Sequence, residues 1–269
     1  MNKPNILLTN DDGIKSPGLW AAAEELSKIG FVTVVAPRDQ SSGTGRSLPQ
    51  TSDGIIKEEE VIVRGQVWKV YSVGATPAQA VQHGVLEIMN VMPDLVVSGI
   101  NYGENVASGI TISGTVGAAM EAASMGIPAL ATSQATDPKH HLSYSLDIDF
   151  SVAARYTAYF AEILLKNNLP DDIDLIKLDI PIGATSETKW EWTRVSSQRY
   201  YEPTKPDRTD FSKPGKVGYR LSVDLRDEPH DSDVYAIMVN KTISVTPITL
   251  DMTSRLAKNE LNAFLKQTA

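Results

Sequence analysis

The sequence predicts an α/β protein built on a mostly parallel sheet, and three observations carry that prediction. Short aliphatic runs recur without polar alternation: Ile6-Leu7-Leu8, Phe31 to Val35, Leu95-Val96-Val97 and Ala129-Leu130-Ala131. Strands covered on both faces of a parallel sheet read this way. Helical patterns separate the runs, and strand, helix, strand within about thirty residues is a βαβ unit, expected to be right-handed. Most of the runs also break off into polar, often glycine-rich loops, beginning with Asn10-Asp11-Asp12-Gly13. In an open α/β sheet, ligands sit in the crevice beyond the carboxyl ends of the strands.

Taken in order, Ile6 to Thr9 is the first strand, and two adjacent acids at its mouth are unfavourable unless a positive charge compensates them. The plain alternative is an Asp-Asp-Gly turn whose side chains cap the backbone. Ser16-Pro17 opens a helix through Leu26, with Ser16 as cap, Leu19, Ala22, Ala23 and Leu26 as its apolar face, and Gly30 as its stop. The strand Phe31 to Val35 leads through Ala36-Pro37 into a donor-rich loop, Arg38 to Ser47, which brings Ser42 to the same sheet edge. Short strands are expected within 53–73, with Glu58-Glu59-Glu60 solvated. Thr76-Pro77 opens a helix to about Met89, and the strand Leu95 to Val97 ends in Ser98-Gly99-Ile100-Asn101-Tyr102-Gly103-Glu104-Asn105.

Ser113-Gly114-Thr115 then leads into a helix of small residues, whose N-terminal N–H groups and hydroxyls make an anion site. Ala129 to Thr132 is a further strand. His140-His141 could be read as a metal pair, but in a polar loop it is expected to be exposed. A helix over Phe150 to Leu165 precedes the strand Ile173 to Leu178. After about residue 184 the character changes: Trp190, Trp192, Arg194, Arg199, Tyr200 and Tyr201 alternate with polar residues. Strands are expected at Val217 to Val223, Val234 to Val239 and Ile243 to Val245, with a closing helix from Thr253 to about Phe264. The reading is a core over 1–184 and an antiparallel extension over 185–269. Aromatics interleaved with basic residues could stack on bases; the acidic total favours subunit contact instead.

Composition narrows the classes. The chain has 269 residues, 42% hydrophobic and 22% charged, an ordinary globular balance with enough length for a large core. A net charge of -8 argues against a broad nucleic-acid surface but leaves room for a small anion held through a cation. With no cysteine, disulfides, thiolate nucleophiles and thiolate-bound metals are excluded. No stretch approaches the ~20 apolar residues that span a bilayer. The first apolar run is short and ends in acids, unlike a signal peptide. Neither a DNA nor a membrane partner is expected, and cytoplasm is the expected compartment.

The strand ends therefore deliver Asp11, Asp12, Ser42 and Asn101, next to the Ser113-Gly114-Thr115 turn. Hard oxygen ligands point to Mg²⁺ or Mn²⁺ rather than zinc. A divalent cation beside an anion hole is a phosphate site, suited to metal-assisted phosphoryl hydrolysis. Neither GxGxxG after the first strand nor GxxxxGK[ST] occurs, which counts against NAD and P-loop chemistry.

These motifs resemble those of the SurE family, stationary-phase survival proteins with 5'/3'-nucleotidase and acid-phosphatase-like activity. The resemblance runs through Ile6 to Ile14, Val34-Val35-Ala36-Pro37 leading to Ser42, Val97 to Asn101 with Gly103 and Asn105, Ser113 to Val116, and Ser244 to Ile248. It implies a three-layer, Rossmann-like core and a C-terminal extension used in a homodimer or homotetramer. It places divalent-metal ligands at Asp11, Asp12, Ser42 and Asn101, and phosphate contacts at Asn101, Asn105, Ser113, Gly114 and Thr115. The implied reaction is hydrolysis of nucleoside monophosphates; Asp11 is the better candidate for the firmer ligand and Asp12 for orienting the attacking water, two roles that the sequence does not separate. A broad phosphomonoesterase or exopolyphosphatase and a non-catalytic nucleotide-binding stress protein are the alternatives. Two stretches depart from the family: Ala75-Thr76-Pro77-Ala78-Gln79-Ala80 where Gly-Thr-Pro-Ala-Asp-Cys is usual, and Arg46 where His is common. Arg46 offers either a contact for phosphate or a solvated loop charge.

Overall fold

The computed structural model describes residues 3–63, 65–141 and 144–266. A sheet of 9 strands runs through the middle in the order β3-β4-β2-β1-β5-β6-β7-β11-β8. β1 (Asn5–Thr9), β2 (Phe31–Pro37), β4 (Gln66–Val73), β5 (Leu95–Tyr102), β6 (Ala129–Gln134) and β7 (Leu175–Ile180) are mutually parallel. From β1 the chain winds outward through β2 to β4, then returns to lay β5 on β1's other side. This reversal of winding opens a crevice between the carboxyl ends of β1 and β5.

The apolar runs are unbroken because both faces of the sheet are covered. Ile6 and Leu8 point into one core with Val34, Leu95 and Val97, beneath α1 (Pro17–Leu26) and α4 (Ser151–Lys166). Leu7, Val35 and Val96 point into the other core, beneath α2 (Pro77–His83) and α3 (Gly114–Ser124). The expected strands and helices of this core are present, with three adjustments. Ser16 sits at the N-cap of α1 but its hydroxyl makes no capping bond and is buried without a partner. Gly30 lies beyond the helix, which ends at Leu26. Phe31 is exposed, because β2 becomes buried only toward its carboxyl end.

The 53–73 region is one antiparallel hairpin, β3 (Ile56–Val63) on β4. Of its acidic run Glu59 is not simply solvated: it accepts a 2.5 Å bond from the Ser72 hydroxyl across the hairpin. Gln79 completes a capping box with Thr76 and accepts from the Ser52 hydroxyl at 2.6 Å, so it fastens the 47–52 loop to α2.

β8 (Trp190–Trp192) and β11 (Ile243–Ile248) extend the sheet, with β11 antiparallel to β7 and parallel to β8. β9 (Tyr201–Thr204) and β10 (Gly218–Leu221) form a separate antiparallel pair. The strand expected over Val234 to Val239 is instead helical, α5 (Asp233–Tyr235) continued by a π-helical turn over Ala236–Asn240. Ser232 caps it by accepting from Tyr235 N, and Val234, Ala236 and Ile237 bury against the chain beside them, a spacing that β alternation does not serve. The closing helix α6 (Lys258–Lys266) starts later than expected and is exposed. No helix among the described residues is long and apolar enough to cross a membrane.

Candidate active site

Leu8 and Thr9 carry the chain out of the sheet beside β5, so Asp11 and Asp12 arrive at the crevice itself. Asn10 builds the turn: its Oδ1 accepts from Gly13 N at 3.1 Å and its Nδ2 donates to Gly13 O at 3.2 Å. Gly13 has φ +94, a conformation that glycine adopts without strain. Both aspartates are almost wholly buried, at 4% and 1% exposed.

Each carboxylate is held in a fixed orientation. Asp11 Oδ1 accepts from the Thr115 hydroxyl at 2.5 Å, and backbone N–H groups of Gly114 and Thr115 also stabilise it. Gly114 permits this closeness, since a Cβ there would stand 2.7 Å from Asp11 Cβ and 2.9 Å from its Oδ2. Asp12 accepts from Tyr102 N and from Gln40 Nε2, each at 3.1 Å, and its backbone carbonyl accepts from the Tyr144 hydroxyl at 2.7 Å. Burial raises Asp11 above the ordinary carboxylate range. Asp12 is raised well above it, by burial first and by the charge of Asp11 second. No lysine or arginine pairs with either among the described residues.

A cavity of about 380 Å³ opens above Asp11, and Ser42, Asn101, Asn105 and Ser113 line it as well. The Asn101 amide nitrogen donates to Gly103 O at 2.7 Å, which turns its Oδ1 into the one uncommitted atom of that side chain among the described residues. Asn105 is set by two bonds: its N donates to Asp179 Oδ1 and its Nδ2 to the Ser133 hydroxyl, both at 2.7 Å. Ser113 caps α3 by accepting from Val116 N at 3.1 Å. Asp12, Gly114 and Thr115 are not part of the cavity wall; Gly114 and Thr115 back Asp11.

No group of three or more His, Cys, Asp or Glu side chains suited to a metal occurs among the described residues. The donors that meet at the cavity are oxygens, from the Asp11 carboxylate, the Ser42 hydroxyl and Asn101 Oδ1, with the buried Asp12 carboxylate adjacent in the chain. Such a set fits a hard divalent cation, and its positive charge would relieve the repulsion between the aspartates.

Several contributors were not visible in the sequence. Gln40, Tyr102 and Tyr144 orient Asp12 through ordinary surface-type residues, for which no local pattern exists. Lys177, Asp179 and Asp233 form a cluster that is 0% exposed beneath the Asn105 loop. Asp179 binds Asn105 N, and Asp233 binds Ala107 N at 3.1 Å and Ser196 N at 2.9 Å. Burial lowers Lys177, but its two carboxylates outweigh that effect and keep the ammonium charged. Alternating Lys177 and Asp179 within an otherwise apolar strand was the available signal. His141, expected to be exposed, is half-buried in the cavity wall with Arg199, Tyr201 and Tyr219. Arg46 neither reaches the cavity nor stands free. It donates to Glu121 Oε2 at 2.7 Å and to the Ser124 hydroxyl at 2.6 Å, clasping the Ser42 loop to α3.

A family model described as Survival protein SurE matches residues 6–202. The chain is 38% identical over 274 residues to the 5'-nucleotidase SurE of Methanosarcina mazei, covering 97% of this chain and 98% of that protein. It is 39% identical over 260 residues to the 5'-nucleotidase SurE of Thermococcus gammatolerans, covering 97% and 95%. The crystal structure of the SurE protein from Aquifex aeolicus aligns with a TM-score of 0.76 at 32% identity, over 97% of this chain and 100% of that one.

Proposed function

The chain belongs to the SurE family, and on that premise we propose that it is a 5'-nucleotidase, hydrolysing nucleoside monophosphates to nucleoside and phosphate with Mg²⁺ or Mn²⁺. The observation that carries this reading is the meeting, at one cavity, of an uncompensated all-oxygen donor set and the N-terminal turn of α3. Asp11, Ser42 and Asn101 would hold the ion, with Asp12 completing the set. When bound, the ion supplies Lewis acidity, acidifying water and neutralising charge on phosphoryl oxygens.

The protein's own part is orientation. Asn105 and Ser113 receive the phosphoryl oxygens at the wall of the cavity. Asp12, fixed by Tyr102 N, Gln40 and the Tyr144 hydroxyl, orients the attacking water, while Asp11, held by Thr115 and facing the cavity, is the firmer ligand. Fixed geometry of this kind removes the entropy cost of assembling the reactants. Direct attack by water suits the site, with no covalent phosphoenzyme.

The test is phosphate release across a panel of nucleoside monophosphates with each metal, alongside small phosphomonoesters and polyphosphate. Nucleotides should be turned over fastest, and Asp11→Asn should nearly abolish turnover while the circular-dichroism spectrum stays native. Undiminished turnover in that variant would remove Asp11 from the site.

We also propose that residues from 185 onward mediate assembly into a homodimer or homotetramer. The supporting features are α6, exposed with Leu261, Phe264 and Leu265 apolar, and the outer strand β8, where Trp190 and Trp192 are 37% and 57% exposed. Light scattering that finds a monomer at micromolar concentration would contradict this.

A further inference from the structure

The cavity has two chemically different ends. One is oxygen-rich, with Asp11, Ser42, Asn101 and Ser113; the other is formed by His141, Tyr201, Pro203 and Tyr219. Metal and phosphate account for the first and leave the second unexplained. Its aromatics come from distant parts of the chain: His141 follows β6, while Tyr201 and Tyr219 lie on the paired strands β9 and β10. An excursion from the sheet therefore closes over the ligand cavity.

The aromatic end is braced. Tyr201 stands edge-on to Tyr219, ring centroids 5.2 Å apart, and Tyr219 lies nearly parallel to the His141 ring at 16°. The Tyr201 hydroxyl donates to Glu104 Oε1 at 2.8 Å, one residue from Asn105, so the aromatic end is tied to the phosphate loop itself. Burial, and then the charge of Glu104, holds the Tyr200 and Tyr201 phenols far above their usual range, so both remain donors to that carboxylate. Burial also holds the His141 imidazole below its usual range, so at neutral pH it presents an uncharged ring. Its Nδ1 lies 3.2 Å from the Tyr219 hydroxyl, and its Nε2 is buried against Gly103, so the ring is fixed beside Tyr219. Tyr219 keeps half its surface exposed, at 51%, in a position to take another ring.

We propose that Tyr219 and His141, braced by Tyr201 and Glu104, form the subsite for the nucleobase. This rests on the nucleotidase reading and adds to it the feature by which a nucleotide is told from other phosphomonoesters. Stacking uses a face that every base has, so the subsite accepts all the common bases and favours purines, which offer more ring area.

The experiment compares kcat/KM for 5'-AMP with that for glycerol 2-phosphate, an ester with no ring, in the full-length enzyme with Mn²⁺. Tyr219→Leu and His141→Leu should each lower the AMP to glycerol 2-phosphate ratio, chiefly through KM for AMP. The fall should be roughly 5- to 150-fold, the range of one base–aromatic stack. Tyr219→Phe, which keeps the ring, should stay close to the wild-type ratio. A wild type that favours AMP while both leucine variants keep its ratio overturns the subsite alone. A wild type without preference for AMP overturns the nucleotidase reading, and with it the subsite. A variant that loses both substrates equally points to a scaffold role and also overturns the proposal.

Discussion

Gly114→Ala is the sharpest test of how the metal-binding end is built. The added methyl would stand 2.7 Å from Asp11 Cβ, 2.9 Å from Asp11 Oδ2 and 3.1 Å from Thr44 Oγ1. Carbon atoms in contact prefer about 3.5–4.0 Å, so Asp11 or the start of α3 must move by roughly 1 Å. Asp11 has nowhere easy to go: it is 4% exposed, takes the Thr115 hydroxyl at 2.5 Å, and its carbonyl accepts from Ser41 N at 2.7 Å. Overpacking of this kind costs about 1–3 kcal/mol, below the ~5–15 kcal/mol that ordinarily keeps a domain folded. The variant should therefore fold. A misplacement of about 1 Å at a reacting centre costs on the order of 10²-fold in rate. The assays are urea denaturation and kcat/KM for AMP over a Mn²⁺ titration. Gly109→Ala is the control, because Gly109 lines the same cavity and a Cβ there meets nothing within 4 Å. It should change stability by less than about 0.5 kcal/mol. Wild-type rate and metal dependence in Gly114→Ala would refute the claim that the approach of α3 sets Asp11.

Three further outcomes are expected. Lys177→Met leaves Asp179 and Asp233, both 0% exposed, without their cation, and should destabilise by about 3–5 kcal/mol in urea unfolding; a loss below about 1 kcal/mol would mean the cluster is not ionic. Arg46→Ala removes a partner from Glu121, whose side chain is 5% exposed, leaving Gln82 at 2.8 Å as its amide donor. Because Arg46 itself is 39% exposed, the ion pair is screened, so a loss of about 1 kcal/mol in thermal denaturation is expected, with weaker Mn²⁺ activation as the Ser42 loop loosens; unaltered metal activation would count against that coupling. Metal should also stabilise the fold: Mn²⁺ at about 100 times its Kd should add roughly 2.7 kcal/mol by mass action, lost on chelation and strongly reduced in Asp11→Asn, as read by thermal shift.

The sequence showed the parallel core because both-face burial leaves a local mark, the unbroken aliphatic run, and Ile6 to Leu8 and Leu95 to Val97 carry it fully. The structure brings several of the expected site residues to one cavity. Asp11, Ser42 and Asn101 lie at or beyond the carboxyl ends of β1, β2 and β5, which share one edge, and Ser113 reaches the same cavity as the N-cap of α3. What stayed hidden was settled by contacts distant in sequence. Val234 to Val239 has the composition of a strand, yet Ser232 caps a helix there and Val234, Ala236 and Ile237 bury one side. Tyr201 was expected at a subunit contact and Tyr219 only within a strand, and nothing near them in the chain discloses that β9 and β10 lie over Glu104 and His141.

These long-range contacts bear on what completes the site. Asp233 belongs to the segment returning from the excursion, yet it is half of the pair that keeps Lys177 charged, and it binds Ala107 N directly. Asp179, the other half, fixes Asn105 N. The same stretch sends β11 to cover the edge of β7, so that the strand bearing Lys177 and Asp179 is paired on both sides. A chain ending near 184 would leave β7 with unpaired backbone groups, two buried charges in place of three, and the Asn105–Ala107 loop missing one of its two carboxylate anchors. The aspartates at the end of β1 would still be present, as would Ser42 and Asn101. The loop proposed to receive the phosphate would no longer be fixed relative to them, and near-attack geometry is where the rate resides. On the proposed function, residues after 184 therefore support the site through an ion cluster that itself lines no part of the cavity.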